Sequence, residues 1–338
     1  VNLEVFDFDV PKELIAQVPW EPRDGSRLLV IERAAKKNSH RHFYDLPDHL
    51  RSGDALVINR TKVRPARILT KNLKGKEIEI LLIRPLQGET HRWECLFRSS
   101  RKTFIEVELP AGGGRAFLNC EGDGPFVIEL PDLSPKEFLA WLDQNGTAPL
   151  PPYIRRKSGP NDLNRYQTVF AQELGSAAAP TAGLHFTPGL LQKCVDRGVK
   201  ILEITLHVGL GTFGPIRTQT IEAHQMHEEF FSISPSVFEE LEKTRAAGGR
   251  IIPVGTTSLR ALESIPEWGL SGNTRIFIRP GHVFRWADGL ITNFHVPKSS
   301  LFVLVSTFLG LETAHACYRE AIQERYRLFS YGDAMVIF

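Results

Sequence analysis

Three histidines and a group of small hydroxyl residues stand where proton transfer and ligand binding could take place. His207 closes an apolar run and stands one residue ahead of the glycine-rich string GLGTFG at 209–214. An imidazole can take or give a proton near neutral pH, and ligands bind at the carboxyl ends of strands in open α/β sheets. The bland alternative is a buried histidine bonded to backbone. His185 belongs to a second dense string, APTAGLHFTP at 179–188, together with Thr181 and Gly183. A helix begins at its end, and helix N-termini offer free N–H groups to anions. Capping accounts for Thr187 and Pro188 but not for His185. Gly255, Thr256, Thr257 and Ser258 form a strand-to-helix turn that suits a phosphate, a ribose or an amino-acid carboxylate; N-capping competes with that explanation. Arg260, one turn on, could clamp a carboxylate with its planar fork. Asp288 precedes the string ITNFHVP at 291–297, where Asn293 and His295 share strand parity and therefore a face; a plain turn is the competing reading of Asp288.

Other patterns are weaker. The glycines at 209, 211 and 214 match G-x-G-x-x-G, but the residues after them lack the apolar stripe of a dinucleotide-binding helix. The glycines still allow a ligand close to the backbone. His224 and His227 are spaced i, i+3, without the H-E-x-x-H pattern of a zinc site, so no metal is expected. Cys95, Cys120, Cys194 and Cys317 are far apart and form neither a disulfide frame nor a C-x-x-C pair. No nucleophile elbow and no P-loop is present. No apolar run approaches the roughly 18 residues of a membrane span, and Val1–Pro11 does not read as a signal peptide. A cytoplasmic location and no membrane partner are expected.

These residues need elements to hold them. The chain has 338 residues, 42% of them hydrophobic and 24% charged, which suits a folded protein of two domains. From about residue 67 to 130 short strands alternate with glycine turns at 72–75, 87–88, 112–114 and 122–124. That spacing predicts a small β-barrel or sandwich. Ser134, Pro135 and Glu137 predict a capped helix after it, and PLPP at 149–152 a stiff linker. From 153 onward strands and helices alternate, which predicts an α/β domain. Helices are expected from Lys12, Thr187, Ser234, Leu259, Ser299 and Thr313. Strands are expected at 55–59, 200–208, 250–254, 275–279 and 335–338, and a hairpin at 283–294. The fold class is thus α/β: a core of residues 1–66 and 151–338, with a barrel-like domain of residues 67–150 inserted. The net charge of +2 does not announce a nucleic-acid binder, but residues 60–76 hold seven Lys or Arg and no acid. Arg98, Arg101 and Lys102, and then Arg155, Arg156, Lys157 and Arg165, add to this. Such groups neutralise phosphates if they fall on one face; otherwise they are a solvated surface.

Taken together, GSAAAPTAGLHFTP (175–188), TLHVGLGTF (205–213), HQMHEEFFSIS (224–234), GGRIIPVGTTSLRALES (248–264), DGLITNFHVPKSSL (288–301) and YGDAM (331–335) closely resemble the S-adenosylmethionine:tRNA ribosyltransferase-isomerases of queuosine biosynthesis. FDFDVPKELIAQVPWEPRDGSRLLV near the N-terminus and PLPPYIRR fit the same family, so the resemblance spans nearly the whole chain. It implies a transferase and isomerase that moves the ribosyl part of S-adenosylmethionine onto 7-aminomethyl-7-deazaguanine at the tRNA wobble position. The ribose is rearranged to an epoxycyclopentane, adenine and methionine leave, and epoxyqueuosine-tRNA results. It implies no bound cofactor, with S-adenosylmethionine as cosubstrate, and a monomer.

That chemistry needs a base for the carbon next to the sulfonium, an acid for the departing adenine, and a group for the proton of the attacking amine. Each positioned acid or base contributes typically ~100- to 10,000-fold. The candidates are His185, His207, Asp288 and His295, with one of the first two as the base. Thr181, Gly183, Gly209, Gly211, Gly255, Thr256, Thr257, Ser258, Arg260 and Asn293 are the cosubstrate-binding candidates. Arg60, Lys62, Arg64, Arg67, Arg155 and Arg156 are those for tRNA. The rival readings are an S-adenosylmethionine-dependent RNA methyltransferase built on GLGTFG, and a non-catalytic RNA-binding protein built on the basic β-rich part.

Overall fold

Leu28, Leu29, Val30 and Ile31 are successive buried residues of one strand, so both of its faces must be covered. In the computed structural model, which describes residues 1–86, 89–97, 104–120, 126–209 and 215–338, both are. The strand Arg27–Glu32 lies between Ala334–Ile337, parallel to it, and Lys37–His42, antiparallel. Leu290–Asn293 completes this four-stranded sheet against Ala334–Ile337. Leu29 and Ile31 share an apolar cluster with the helices Ser300–Leu309 and Leu311–Gln323. Leu28 and Val30 share another with Leu190 and Cys194 of the helix Pro188–Asp196 and with Leu56 and Ile58 of the next sheet.

That second sheet has five strands in the order Ile251–Pro253, Ala55–Asn59, Lys200–Leu206, Glu229–Ser232 and Ser271–Thr274. The first three are parallel and the last two antiparallel. All five residues of Ala55–Asn59 are buried, as a central parallel strand requires. A parallel bridge between Val254 and Ile291 ties the two sheets together. These elements belong to one compact unit, made of Val1–Lys62, Pro151–Arg156 and Gln167–Phe338.

The other unit comprises Val63–Leu150 and Lys157–Tyr166. Its six strands close into a barrel, in the order Phe126–Glu129, Glu89–Phe97, Glu77–Leu86, Arg67–Asn72, Ile105–Glu108 and Arg115–Cys120. Ile78, Ile80 and Leu82 alternate inward with the period of a strand. The helix Pro135–Asn145 carries the expected capping box, with Ser134 and Glu137 each bonded to the other's backbone N–H. Its Trp141 donates to the carbonyl of Pro110 at 2.8 Å. A Cβ on Gly113 would lie 2.6 Å from the Trp141 ring, so glycine is required for that approach. The α/β core with a barrel-like second part is therefore the architecture found. The turns expected at 87–88 and 122–124 lie outside the described residues.

Four local expectations are corrected. KELIAQ forms only a single 3-10 turn, Lys12–Leu14, because Ile15 bridges to Leu328. No strand forms at 275–279: the strand is Ser271–Thr274, and the Thr274 hydroxyl then takes the N–H of Ile276 and turns the chain. No hairpin strand forms at 283–286 either. The carboxylate of Glu263 collects the N–H groups of Arg285, Trp286 and Ala287 at 2.9–3.2 Å, which wraps the backbone around a buried charge instead of a ladder. The helix expected from Leu259 starts at Gly255, so Thr256, Thr257 and Ser258 form its first turn.

Candidate active site

The parallel strands Ala55–Asn59 and Lys200–Leu206 end side by side, and Asn59 joins the two ends. Its amide donates to the carbonyl of Leu206 and accepts from the N–H groups of Leu206 and Thr61. Thr61 then reaches 2.8 Å from Nδ1 of His207. The His207 ring is half-buried, stacks on Phe230 at 5.9 Å, and lies so near Gly175 that a Cβ there would be 2.7 Å from it. Burial lowers its pKa below the usual 6.5, against the raising effect of Glu173. The ring is therefore neutral at pH 7 and can accept a proton. Its Nε2 has no hydrogen-bond partner among the described residues.

Next to this strand edge, several distant stretches of sequence line one groove. It consists of two adjoining hollows, both open to solvent. Thr181, Asn293, His295 and Leu301 line both. The first hollow has aromatic walls, Tyr153, Phe294 and Phe329, which suit a flat ring. The second is lined by Gly255, Thr256 and Thr257, the first turn of the helix Gly255–Trp268. No side chain caps that helix, so its leading N–H groups suit a carboxylate. Gly255 has φ +88°, a backbone conformation that favours glycine, where the strand turns into the helix. The Thr257 hydroxyl is buried and makes no hydrogen bond among the described residues. Val208, beside His207, also lines the second hollow.

The remaining histidines differ from His207. His185 is fully buried, stacked on Phe43 at 4.9 Å, and uses both ring nitrogens: Nδ1 lies 2.7 Å from Ser26 Oγ and Nε2 3.0 Å from the Asn293 amide nitrogen. Burial, with the charges of Arg23 and Arg327, pushes its pKa down to about 3. His295 lines the groove, bonds through Nε2 to the Thr292 hydroxyl at 2.7 Å, and is also pushed down to about 3 by burial.

Several candidates lie elsewhere. Arg260 does clamp a carboxylate, but that of Glu229, in an ion pair where both side chains are 2% exposed. Glu229 also accepts the N–H of Gly209 at 2.8 Å, so the pair holds the start of the glycine loop. Asp288 is exposed and pins the strand start at Ile251, accepting its N–H at 2.8 Å. Ser258 is fully buried outside the groove lining. Gly183 makes room for Phe170 and Thr168, which would lie 2.8 Å from a Cβ. Gly211 and the rest of 210–214 lie outside the described residues; residues 215–220 form a bridge and bends rather than a dinucleotide-binding helix.

The basic candidates are largely engaged in ion pairs. Arg60 faces Glu173 at 3.3 Å and Glu203 at 4.0 Å, Arg64 faces Asp143 at 4.0 Å, and Arg67 faces Glu79 at 3.3 Å. Arg156 donates to the carbonyl of Gln17. Lys62 and Arg155 are exposed. Arg98, Arg101 and Lys102 lie outside the described residues. Sequence reasoning missed Ser26, Thr61, Tyr153 and Glu229. Only Glu229 had a usable signal, its alternation with Phe231: no strand was expected there, and the strand Glu229–Ser232 puts both on the buried face.

The fold is that of an α/β protein, and its groove lies beside a histidine able to accept a proton. Residues 3–337 match the family described as "Queuosine biosynthesis protein". The chain is 46% identical to the S-adenosylmethionine:tRNA ribosyltransferase-isomerase of Moorella thermoacetica, over 100% of both proteins. It is 47% identical to that of Geobacter sulfurreducens, over 98% of each. Its fold is similar to the crystal structure of S-adenosylmethionine tRNA ribosyltransferase from Thermotoga maritima, with a TM-score of 0.57 and 35% identity, covering 99% of this chain and 100% of that one. The chain belongs to the family of S-adenosylmethionine:tRNA ribosyltransferase-isomerases of queuosine biosynthesis.

Proposed function

We propose that this chain transfers the ribosyl part of S-adenosylmethionine to 7-aminomethyl-7-deazaguanine at the tRNA wobble position and rearranges it to an epoxycyclopentane, releasing adenine and methionine. The observation that carries this reading, beside family membership, is the convergence of Thr181, Gly255, Thr256, Thr257, Asn293 and His295 on one groove. The methionine carboxylate lies at the N-terminus of the Gly255–Trp268 helix. A flat base stacks in the aromatic hollow. His207, neutral and reachable, is the base for the carbon next to the sulfonium. His295 is a hydrogen-bond donor toward the groove rather than a base, since its lowered pKa makes it a poor proton acceptor. His185 and Asp288 take no proton-transfer step. Lys62 and Arg155 contact phosphates of the tRNA. The enzyme works in the cytoplasm as a monomer, and its own groups supply the acid and base.

Thr257 tests the binding part of this reading. Its hydroxyl has no hydrogen-bond partner among the described residues, so the nearly isosteric Thr257→Val removes no internal hydrogen bond and takes away only one offered to the cosubstrate. The KM for S-adenosylmethionine at saturating modified tRNA is expected to rise roughly 5- to 10-fold. An unchanged KM contradicts a cosubstrate in this groove.

A further inference from the structure

Ser26, His185 and Asn293 form a hydrogen-bonded row, and of the three only Asn293 lines the groove. An amide nitrogen donates and cannot accept. Asn293 Nδ2 lies 3.0 Å from His185 Nε2 and 3.4 Å from each of the carbonyl oxygens of Phe329 and Asp333. The opposite amide orientation would set Oδ1 against those two carbonyls, acceptor facing acceptor. His185 Nε2 therefore accepts and carries no proton. The ring proton sits on Nδ1 and is donated to Ser26 Oγ at 2.7 Å. A second ring proton would face the Asn293 donor. The charged side chains around the ring are Arg23 and Arg327, both of which oppose its protonation. The carboxylate of Asp333 is occupied by Trp20 and the N–H groups of Arg27 and Arg327. What remains is Asn293 Oδ1, buried and without a hydrogen-bond partner among the described residues. A buried acceptor in that state costs stability unless a ligand satisfies it.

We propose that Ser26 and His185 are positioning residues that lock the Asn293 amide, so that its Oδ1 presents a fixed acceptor to an N–H or O–H donor of the bound cosubstrate. The proposal rests on reading the groove as the cosubstrate site. It removes His185 from proton transfer: the ring's task is to keep one tautomer.

Two measurements on the full chain test it. Nitrogen-15 spectra of histidine-labelled protein report ring protonation without any turnover. They are expected to show His185 as the neutral Nδ1–H tautomer, unchanged from about pH 5.5 to 8.5. Titration in that range, or the Nε2–H tautomer, overturns the lock. The second measurement compares His185→Phe with His185→Gln. Phenylalanine keeps the stack on Phe43 and loses the acceptor; the glutamine carbonyl restores an acceptor for Asn293. His185→Phe is expected to raise the KM for S-adenosylmethionine about 10-fold with kcat within a few-fold, and His185→Gln to recover most of that loss. An equal fall in kcat in both variants at unchanged KM is the signature of a proton-transfer residue and overturns the proposal. Should His185→Phe fail to fold, the wild-type spectra decide. Wild-type protein that releases no adenine contradicts the proposed reaction instead, and leaves the spectral result standing.

Discussion

Burial separates the three candidate histidines by the chemistry open to them. His207 keeps a half-exposed ring with Nε2 unengaged among the described residues. His185 and His295 are buried at 4% and 8% exposure and are neutral down to about pH 3. Replacing the base should cost ~100- to 10,000-fold in kcat, so His207→Ala is expected to fall in that range with the KM for S-adenosylmethionine little changed. The pH profile follows from the sign of the shift. A pKa below 6.5 leaves the base neutral at pH 7, so kcat/KM is flat through neutrality and falls only as pH drops past the lowered value. An acid limb above pH 6.5, or one that persists in His207→Ala, contradicts the assignment. At this scale the sequence was legible in part. Position after a strand drew attention to His207, which is half-buried, whereas nothing local distinguishes His185, whose burial comes from Phe43, Ser26 and Asn293 far away in the chain. Arg260 shows the same limit: a carboxylate partner was expected, but that partner is Glu229, 31 residues away, held through Nη1 while Nε donates to the carbonyl of Ile276.

The turn from the strand Ile251–Pro253 into the helix Gly255–Trp268 places three groove residues at once. Gly255 makes the turn possible through its φ of +88°, and the space around it would admit a Cβ, with Ala182 3.5 Å away. The cost of Gly255→Ala is therefore backbone strain, about 1–3 kcal/mol. A thermal midpoint lowered by several degrees is the expected outcome, together with a higher KM for S-adenosylmethionine. A variant as stable as the parent contradicts the strain argument. Elements were legible where capping and periodicity act locally. The capped helix Pro135–Asn145 and the buried strand Ala55–Asn59 fall where they were expected. Elements at 275–286 were not, because their course is set by Glu263 and Thr274, which capture backbone N–H groups across the sequence; the strand at 290–293 was.

Across the whole molecule, the basic stretch at 60–76 reads differently in three dimensions. Arg60, Arg64 and Arg67 face carboxylates, so the charge that the sequence displays is partly neutralised within the fold. Lys62 and Arg155 project outward and carry the expectation for phosphate contact. Replacing both with Gln should weaken tRNA binding and reduce the salt slope by about 1.4–1.8, the release of two counterions. An unchanged slope would move the tRNA contact to other residues. The alternation of strands and helices and the glycine-spaced strands were enough for the architecture. The joint order of six sequence blocks was enough for the family. Which residues line the groove was decided by packing that no single block contains.

The central claim is ribosyl transfer in the groove at the Gly255–Trp268 helix. Its most direct test is to identify the small-molecule products formed from S-adenosylmethionine and tRNA bearing 7-aminomethyl-7-deazaguanine. Free adenine and methionine, formed only with that tRNA, are the predicted result. S-adenosylhomocysteine would instead mean methyl transfer, and tRNA binding without turnover a non-catalytic protein; either outcome contradicts the account.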